Sequence, residues 1–113
     1  MDKRTLEVNG RNYGWPETPV VVVCIDGSEP DYMDRAIEDG HMPWLAKVRP
    51  VGTDRVADCV VPTFTNPNNL SIVTGQPPSV HGIAGNFFWN PETDEEVMMN
   101  DPKFLRCGTI LAA

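Results

Sequence analysis

The chain has 113 residues, 41% of them hydrophobic, and 16 acidic against 9 basic residues give it a formal net charge of −7. This length fits one small domain, and the acidic balance without a Lys or Arg cluster argues against nucleic acid as a partner, because the two would repel. The longest apolar run, residues 20–25, is too short to cross a bilayer, and no apolar stretch of signal-peptide length follows the start, so we expect a cytoplasmic protein without a membrane partner.

The first elements in chain order are two predicted strands. A short strand is expected around residues 6–8, and a second at residues 20–25, which read VVVVCI. A run without polar alternation is typical of a strand covered on both faces, as in a parallel sheet with helices on each side. The run stops at Asp26, and Gly27 permits a tight turn there.

Two helices are predicted next. Ser28 and Asp31 resemble a capping pair at the start of an amphipathic helix, which Gly40 would close. Pro43 then opens a shorter helix that ends at Pro50.

The following strand and helix meet at a threonine. Residues 55–61 form a strand candidate, and a helix over residues 66–74 would stop at Gly75. Thr65 can act as the N-cap of this helix, with the backbone N–H of Asn68 as its partner. Strand and helix in alternation predict an α/β fold with a parallel sheet and right-handed crossovers.

The last part of the chain predicts a loop and a hairpin. Residues 76–82 read as a rigid loop, and an aromatic strand at 87–89 would pair with 97–99. The acidic run at 92–96 between them is typical of a solvated turn. Thr109 would cap the first turn of a further helix.

Cysteine and histidine are scarce. Cys24, Cys59 and Cys107 form no CxxC pair, and the first two fall in apolar runs, so we expect buried structural thiols in a reducing compartment. Because His41 and His81 are the only histidines, this chain cannot build a multi-histidine metal cage. His41 is expected at the end of a helix or facing solvent, and His81 is expected to brace its turn.

One constellation carries chemistry. Asp26 and Thr65 both fall just past the ends of predicted parallel strands, where ligands of such sheets collect. A carboxylate suits Zn²⁺, Mg²⁺ or Mn²⁺, and a metal on the Thr65 oxygen would lower the pKa of that hydroxyl. Asn86 could donate its amide to an anionic oxygen. The alternative is that Thr65 only caps its helix.

Three motifs resemble one enzyme superfamily. They read VVVVCIDG at 20–27, PTFTNPNNLSIVTG at 62–75 and HGIAGN at 81–86. In this order they resemble the opening third of the alkaline phosphatase superfamily, in the branch of the nucleotide pyrophosphatases/phosphodiesterases and the phosphonoacetate hydrolases. The phosphonoacetate hydrolase family is more similar, because the phosphodiesterases usually carry TFPN where this chain has TNPN at 65–68. Nearly the whole chain, from about Val8 onward, is covered.

The resemblance implies a fold, a site and a reaction. Residues 1–113 would be the N-terminal part of a single hydrolase domain, an α/β three-layer sandwich with a mostly parallel sheet that is incomplete here. Asp26 would ligate one of two zinc ions, Thr65 would ligate the same ion and attack phosphorus, and Asn86 would hold the phosphoryl oxygens. The reaction would be metal-dependent hydrolysis of the carbon–phosphorus bond of phosphonoacetate, a small anionic substrate. The remaining zinc ligands would lie beyond this chain.

Two other functions stay open. One is a type I phosphodiesterase or nucleotide pyrophosphatase acting on nucleotide esters. The other is a non-catalytic remnant or interaction module, since 113 residues alone would lack a dinuclear site. Such a piece is expected to expose sheet edges and an apolar face, and to aggregate or be only partly folded unless it is complemented. We expect it to be inactive or incomplete as an enzyme, and its expected protein partner is a complementing chain or a second copy of itself.

Overall fold

The computed structural model describes residues 4–113 and divides into two compact units. One unit joins residues 4–20 to residues 59–113, and the other comprises residues 21–58. None of the helices in residues 4–113 is both long enough and apolar enough to span a membrane. In chain order the elements are β1 (Thr5–Val8), β2 (Arg11–Gly14), α1 (Pro30–Glu38), α2 (Pro43–Val48), α3 (Thr65–Thr74), α4 (Pro78–His81), β3 (Phe87–Asn90) and β4 (Glu95–Met98), with 3₁₀ turns at Arg49–Val51 and Pro102–Phe104.

The first unit opens with a hairpin of which the sequence predicted one strand. β1 confirms the strand expected at residues 6–8, and β2 pairs with it in antiparallel register. The turn consists of Asn9 and Gly10, with φ of 51° and 77°. Two left-handed residues in a two-residue loop make a type I′ turn, for which Asn-Gly is a favoured sequence. The second strand could therefore have been predicted from this dipeptide.

Asn9 attaches this hairpin to the rest of the unit. Its Nδ2 donates to the carbonyl oxygens of Thr74, at 2.9 Å, and of Gly108, at 2.8 Å. Its Oδ1 accepts from the Gly108 N–H at 3.0 Å, and its carbonyl accepts from Gln76 Nε2 at 3.1 Å. The turn residue therefore joins the hairpin to the end of α3 and to the C-terminal segment.

Helix α3 ends where the sequence predicted and begins one residue earlier. Gly75 takes a left-handed conformation, with φ of 63°, and its N–H donates to the Ser71 carbonyl. Phe64 occupies the N-cap position and Thr65 is the first helical residue, so the prediction of Thr65 as N-cap is wrong. The predicted loop at 76–82 contains the short helix α4, which closes at Gly82 with φ of 85°.

The predicted hairpin of the aromatic segment is confirmed. β3 and β4 pair in antiparallel register around an exposed acidic turn. On its inner face the Phe88 ring meets the Phe104 ring edge-on, at a centroid distance of 5.4 Å. The helical turn predicted from Thr109 is a simple turn, in which the Ala112 N–H donates to the Thr109 carbonyl.

The core of the first unit is small and lies around α3 and α4. Its fully buried side chains are Pro67, Thr74, His81 and Ile83. Two of them are polar, which is uncommon at such depth unless their hydrogen bonds are made. No buried side-chain nitrogen or oxygen in residues 4–113 lacks a partner.

The second unit consists of α1, α2 and the segments around them. Glu29, and not Ser28, is the N-cap residue of α1 and makes no side-chain cap bond, so the predicted capping pair is wrong. Gly40 ends the helix region as predicted, with φ of 75° and its N–H on the Ile37 carbonyl. His41 is exposed, as expected.

The strands predicted at residues 20–25 and 55–61 are not formed. Val21 is 84% exposed and Val22 80% exposed, and the sheets of residues 4–113 are two antiparallel pairs. A strand needs a partner strand in a sheet, and neither run belongs to a sheet in residues 4–113. Consequently Cys24 and Cys59 are exposed, and their predicted burial is wrong.

Candidate functional site

The hydroxyl predicted to be the nucleophile lies at the start of α3. Thr65 is exposed, and it follows Phe64, whose backbone is extended with φ of −88° and ψ of 155°. The first N–H groups of a helix have no intrahelical acceptor, and the helix dipole places partial positive charge there. A negative charge that develops on or near the Thr65 oxygen is favoured at this position.

Asn68 fixes the loop that leads into the helix. Its Oδ1 accepts from the Val60 N–H at 3.0 Å, and its Nδ2 donates to the Phe64 carbonyl at 2.9 Å. The Phe64 N–H in turn donates to the Pro62 carbonyl. The backbone N–H of Asn68, which was expected to serve Thr65, donates to the Phe64 carbonyl at 3.3 Å, and the Asn68 side chain holds the two ends of the turn in front of Thr65.

Asn86 supplies the cap that Thr65 was expected to provide. Its Oδ1 accepts from the backbone N–H of Asn66 at 3.0 Å. Asn66 Nδ2 donates to the Met99 carbonyl at 3.0 Å, and the Met99 N–H donates to the Asn86 carbonyl at 2.8 Å. This closed set of bonds brings the Asn86 side chain to the residue next to Thr65, so two of the three predicted site residues lie at one helix end.

The hydrogen bond also fixes the orientation of the Asn86 amide. An N–H can only donate, so the side-chain atom facing Asn66 is the carbonyl oxygen. The NH₂ group is therefore the opposite branch of the amide, and it is the only donor of this side chain. A group held in this way suits contact with an anionic oxygen.

His81 braces its turn, as the sequence predicted. Its ring is fully buried, and Nδ1 accepts from the Ile83 N–H at 3.1 Å. Burial lowers the pKa of His81 below its usual value, and a hydrogen bond to the Pro67 carbonyl partly opposes this.

A cavity of about 600 Å³ opens beside Phe64 in the same unit. Its lining combines four phenylalanine rings with two cationic side chains, Lys103 and Arg106. Asp101 holds Lys103, since its carboxylate accepts from the Lys103 N–H at 2.9 Å and meets Nζ at 3.2 Å. Both bonds lower the pKa of Asp101, and the bond from the backbone N–H of Lys103 has the larger effect. Lys103 is thus paired with Asp101, and the other cationic side chain of the lining is Arg106.

Asp26 belongs to the second unit. Its side chain is exposed, and Oδ1 accepts from the N–H of Gly27 at 3.1 Å. Gly27 has φ of 69°, which supports the predicted tight turn after the apolar run. Within the described part of the chain, no group of three His, Cys, Asp or Glu side chains could hold a metal ion. Asp26 and Thr65 belong to different units, so their pairing as metal ligands stays a prediction from the sequence.

The sequence reasoning missed Asn66 and the Ser71–His81 contact, in which Oγ and Nε2 are 3.0 Å apart. The asparagine-rich segment at 65–69 was a usable signal, because asparagine side chains commonly bond to nearby backbone at helix starts. Nothing in the sequence joined Ser71 to His81, since that contact depends on how α4 packs against α3.

Comparison with known proteins gives one family. The family model of type I phosphodiesterase/nucleotide pyrophosphatase matches residues 20–111. Crystal structures of phosphonoacetate hydrolase from Sinorhizobium meliloti 1021, in complex with phosphonoformate and with phosphonoacetate, share 58% and 57% identity with this chain, each with a TM-score of 0.88. Each alignment covers 97% of this chain and 27% of the solved chain.

A more distant relative comes from yeast. Ectonucleotide pyrophosphatase/phosphodiesterase 1 of Saccharomyces cerevisiae is 32% identical over 96 residues, which are 78% of this chain and 12% of the yeast protein. The chain thus spans about a quarter, or less, of the length of the proteins it matches.

Proposed function

The chain belongs to the type I phosphodiesterase/nucleotide pyrophosphatase family and has an alkaline-phosphatase-like fold, and from this premise we propose that its protein hydrolyses phosphonoacetate to acetate and phosphate. The observation that carries the proposal is the 58% identity, over 97% of the chain, with a phosphonoacetate hydrolase, against 32% with the yeast phosphodiesterase. The substrate is a small phosphonate anion.

Thr65 is the nucleophile of the proposed reaction. The Thr65 hydroxyl loses its proton to solvent as its oxygen attacks phosphorus, and the carbon–phosphorus bond breaks with its electron pair moving to the carboxymethyl carbon. The neighbouring carboxylate delocalises this charge, and the carbon takes up a proton to give acetate. Water then hydrolyses the phosphothreonine and releases phosphate. The exposed position of Thr65 on the first turn of α3 supports this role, because the helix N-terminus favours anionic groups.

Asn86 holds the phosphoryl oxygens through its NH₂ group. The bond from the Asn66 N–H to Asn86 Oδ1 supports this assignment, because it orients the amide before substrate arrives. A donor that is already oriented needs no reorganisation in the transition state, which is why such donors contribute strongly to rate.

The cofactor of the proposed enzyme is zinc, as two ions. Asp26 and Thr65 offer a carboxylate and a hydroxyl, which are oxygen donors that zinc accepts, and other residues of the protein would complete the set. Bound zinc would supply positive charge and polarise the phosphoryl group. A chain of net charge −7 has little positive charge of its own to offer a dianionic substrate.

Residues 1–113 form the N-terminal part of a single domain in this proposal, an α/β three-layer sandwich with a mostly parallel sheet. The exposure of the apolar residues at 20–25 supports this, because such a run is stable in water only when neighbouring strands and helices cover it. A complementing chain or a homo-oligomer could provide the same cover.

The test uses the complete gene product that carries this sequence, supplied with zinc. Release of acetate and phosphate from phosphonoacetate is measured for the parent, for Thr65→Ala and for Thr65→Ser, which keeps a hydroxyl at the same place. We expect turnover by the parent, none by the alanine variant, and partial turnover by the serine variant. Turnover by Thr65→Ala at the parent rate would overturn the assignment of the nucleophile.

Phosphodiester hydrolysis is the second candidate function. It is favoured by the family model over residues 20–111 and by the yeast relative. The ratio of kcat/KM for phosphonoacetate to that for bis(4-nitrophenyl) phosphate decides between the two. A ratio well above one supports the phosphonate substrate, and a ratio well below one supports the diester.

A further inference from the structure

His81 is the fully buried titratable group of the described chain, and the proposed reaction does not use it. It ends α4, directly before the loop that leads to Asn86. Its backbone is held as well, because its N–H donates to the Pro77 carbonyl and its own carbonyl accepts from the Arg106 N–H at 3.1 Å. A histidine in such a position is fixed in both backbone and side chain.

The contacts of the ring define where its proton lies. Nδ1 accepts from the Ile83 N–H, and since a backbone N–H can only donate, Nδ1 carries no proton. The neutral ring therefore carries its proton on Nε2, which lies 3.0 Å from Ser71 Oγ and is also the only ring atom that can donate to the Pro67 carbonyl of the same helix. The lone pair needed to deprotonate Ser71 is absent from Nε2, so this pair is not a nucleophile and its base.

The ring thereby joins two segments of the candidate site. Through Nε2 it bonds to Ser71 in the middle of α3, and through Nδ1 to Ile83 at the start of the following loop. Three residues later the same loop supplies Asn86 Oδ1 to Asn66, in the first turn of the same helix. The loop therefore meets α3 at two places, and His81 provides the buried one.

Because His81 and Ile83 are buried, the hydrogen bonds of the ring affect the position of the loop that bears Asn86. If the ring were lost, the Ile83 N–H would lie without its acceptor beside a side chain that is only 1% exposed. A buried donor without an acceptor costs about 1–3 kcal/mol, so the loop would move to satisfy it. Such a movement would carry the Asn86 amide away from the end of α3.

We propose that His81 is a positioning residue: as the Nδ1-acceptor, Nε2-donor tautomer it holds the loop that bears Asn86 against the helix that bears Thr65. Its effect on turnover rests on the proposed function, whereas its effect on the loop does not. The ligand affected is the phosphoryl group of the substrate, which meets Asn86 only when the loop is in place.

The first test measures the loop directly in the complete gene product. Amide hydrogen exchange at Asn66 and Ile83 is compared among the parent, His81→Asn and His81→Leu. Asparagine can offer an oxygen near the position of Nδ1, whereas leucine keeps the bulk of the side chain and makes none of the ring's hydrogen bonds. We expect exchange at both amides to be about tenfold faster in His81→Leu, the loss of one hydrogen bond, and close to the parent in His81→Asn.

His41→Ala is the matched control, because that histidine is exposed and should leave exchange at both amides unchanged. A folded His81→Leu or His81→Asn variant that protects Asn66 as well as the parent does, while Ile83 loses protection, would overturn the proposal. If the leucine variant does not fold, the asparagine variant still decides. Loss of protection at both Asn66 and Ile83 in a folded His81→Asn would contradict the acceptor role of Nδ1.

The second test separates positioning from stability. With phosphonoacetate as substrate, we expect His81→Leu to lower kcat per folded enzyme about tenfold or more with a small change in KM, and His81→Asn to restore most of it. An unchanged kcat per folded molecule in His81→Leu would show a merely structural role. If the parent protein does not turn over phosphonoacetate, the proposed function fails, and the exchange measurement still decides the role of His81.

Discussion

Asn86 has two separable roles, and a pair of substitutions can separate them. Its Oδ1 caps α3 through the Asn66 N–H at 3.0 Å, and its NH₂ group is proposed to hold the substrate. Asn86→Ala removes both groups. Asn86→Asp keeps an oxygen for the Asn66 N–H, removes the donor and adds a negative charge.

The two substitutions should therefore differ in stability. Loss of an N-cap bond typically costs about 0.5–2 kcal/mol, and we expect about 1 kcal/mol for Asn86→Ala because the bond is partly buried. Asn86→Asp should be as stable as the parent or slightly more so, since a carboxylate at a helix N-terminus gains about 0.3–1 kcal/mol. Urea unfolding of the complete gene product measures this difference.

Both substitutions at Asn86 should lower kcat. Removal of one oriented donor to an anionic transition state lowers kcat about 10²–10³-fold. Asn86→Asp should lose at least as much as Asn86→Ala, because its negative charge also repels the phosphonate. If Asn86→Asp keeps parental kcat, or if Asn86→Ala leaves exchange at the Asn66 amide unchanged, the reasoning about this side chain is wrong.

Three further predictions concern the first unit. Gly82→Ala should destabilise the protein by more than the roughly 1 kcal/mol expected for Gly10→Ala, as measured by urea unfolding. Both glycines have positive φ, but of the two only Gly82 would place a Cβ against a side chain, at 2.7 Å from Arg106 Cδ. Asn9→Asp should cost about 2 kcal/mol in the same assay, because it loses two donor bonds and keeps one acceptor bond; a cost near zero would contradict this. Burial lowers the pKa of His81 below 6.5, so the contribution of the neutral ring to the free energy of unfolding should be complete above pH 6.5. It should decline as the pH falls from 6.5 toward the pKa of the folded state. His81→Asn should flatten the plot of unfolding free energy against pH in that range.

Elements governed by short-range signals were predicted well from the sequence. The glycine at position 75 predicted the end of α3, and the turn residues at 90–94 predicted the hairpin of β3 and β4. In both cases the residues that determine the structure lie within a few positions of it. The β2 strand was not predicted, although the Asn9-Gly10 turn before it is also a short-range signal, because an Asn-Gly dipeptide favours a hairpin and therefore a second strand.

The candidate site was predicted in its residues but not in its bonding. Thr65 looked like a helix cap because it precedes an apolar helix, yet the cap oxygen comes from Asn86, 20 residues further along the chain. With Asn86 in that place, helix α3 can begin at Thr65 itself. Sequence alone could assign a polar role to both residues, but it could not show that the role expected of one is performed by the other.

The apolar run at residues 20–25 shows the limit of pattern reading most clearly. Its composition indicates burial on both faces, and its exposure in residues 4–113 follows from the absence of any strand paired with it there. Hydrophobic patterning states which surface must be covered, whereas pairing depends on residues far away in sequence. Asp26 directly follows this run, so we expect the position of that carboxylate to depend on the same pairing. We therefore infer that covering the run and ordering the proposed metal ligand are one event, and that zinc affinity should rise together with protection of the amides at 20–25 when the complete gene product is compared with the isolated chain.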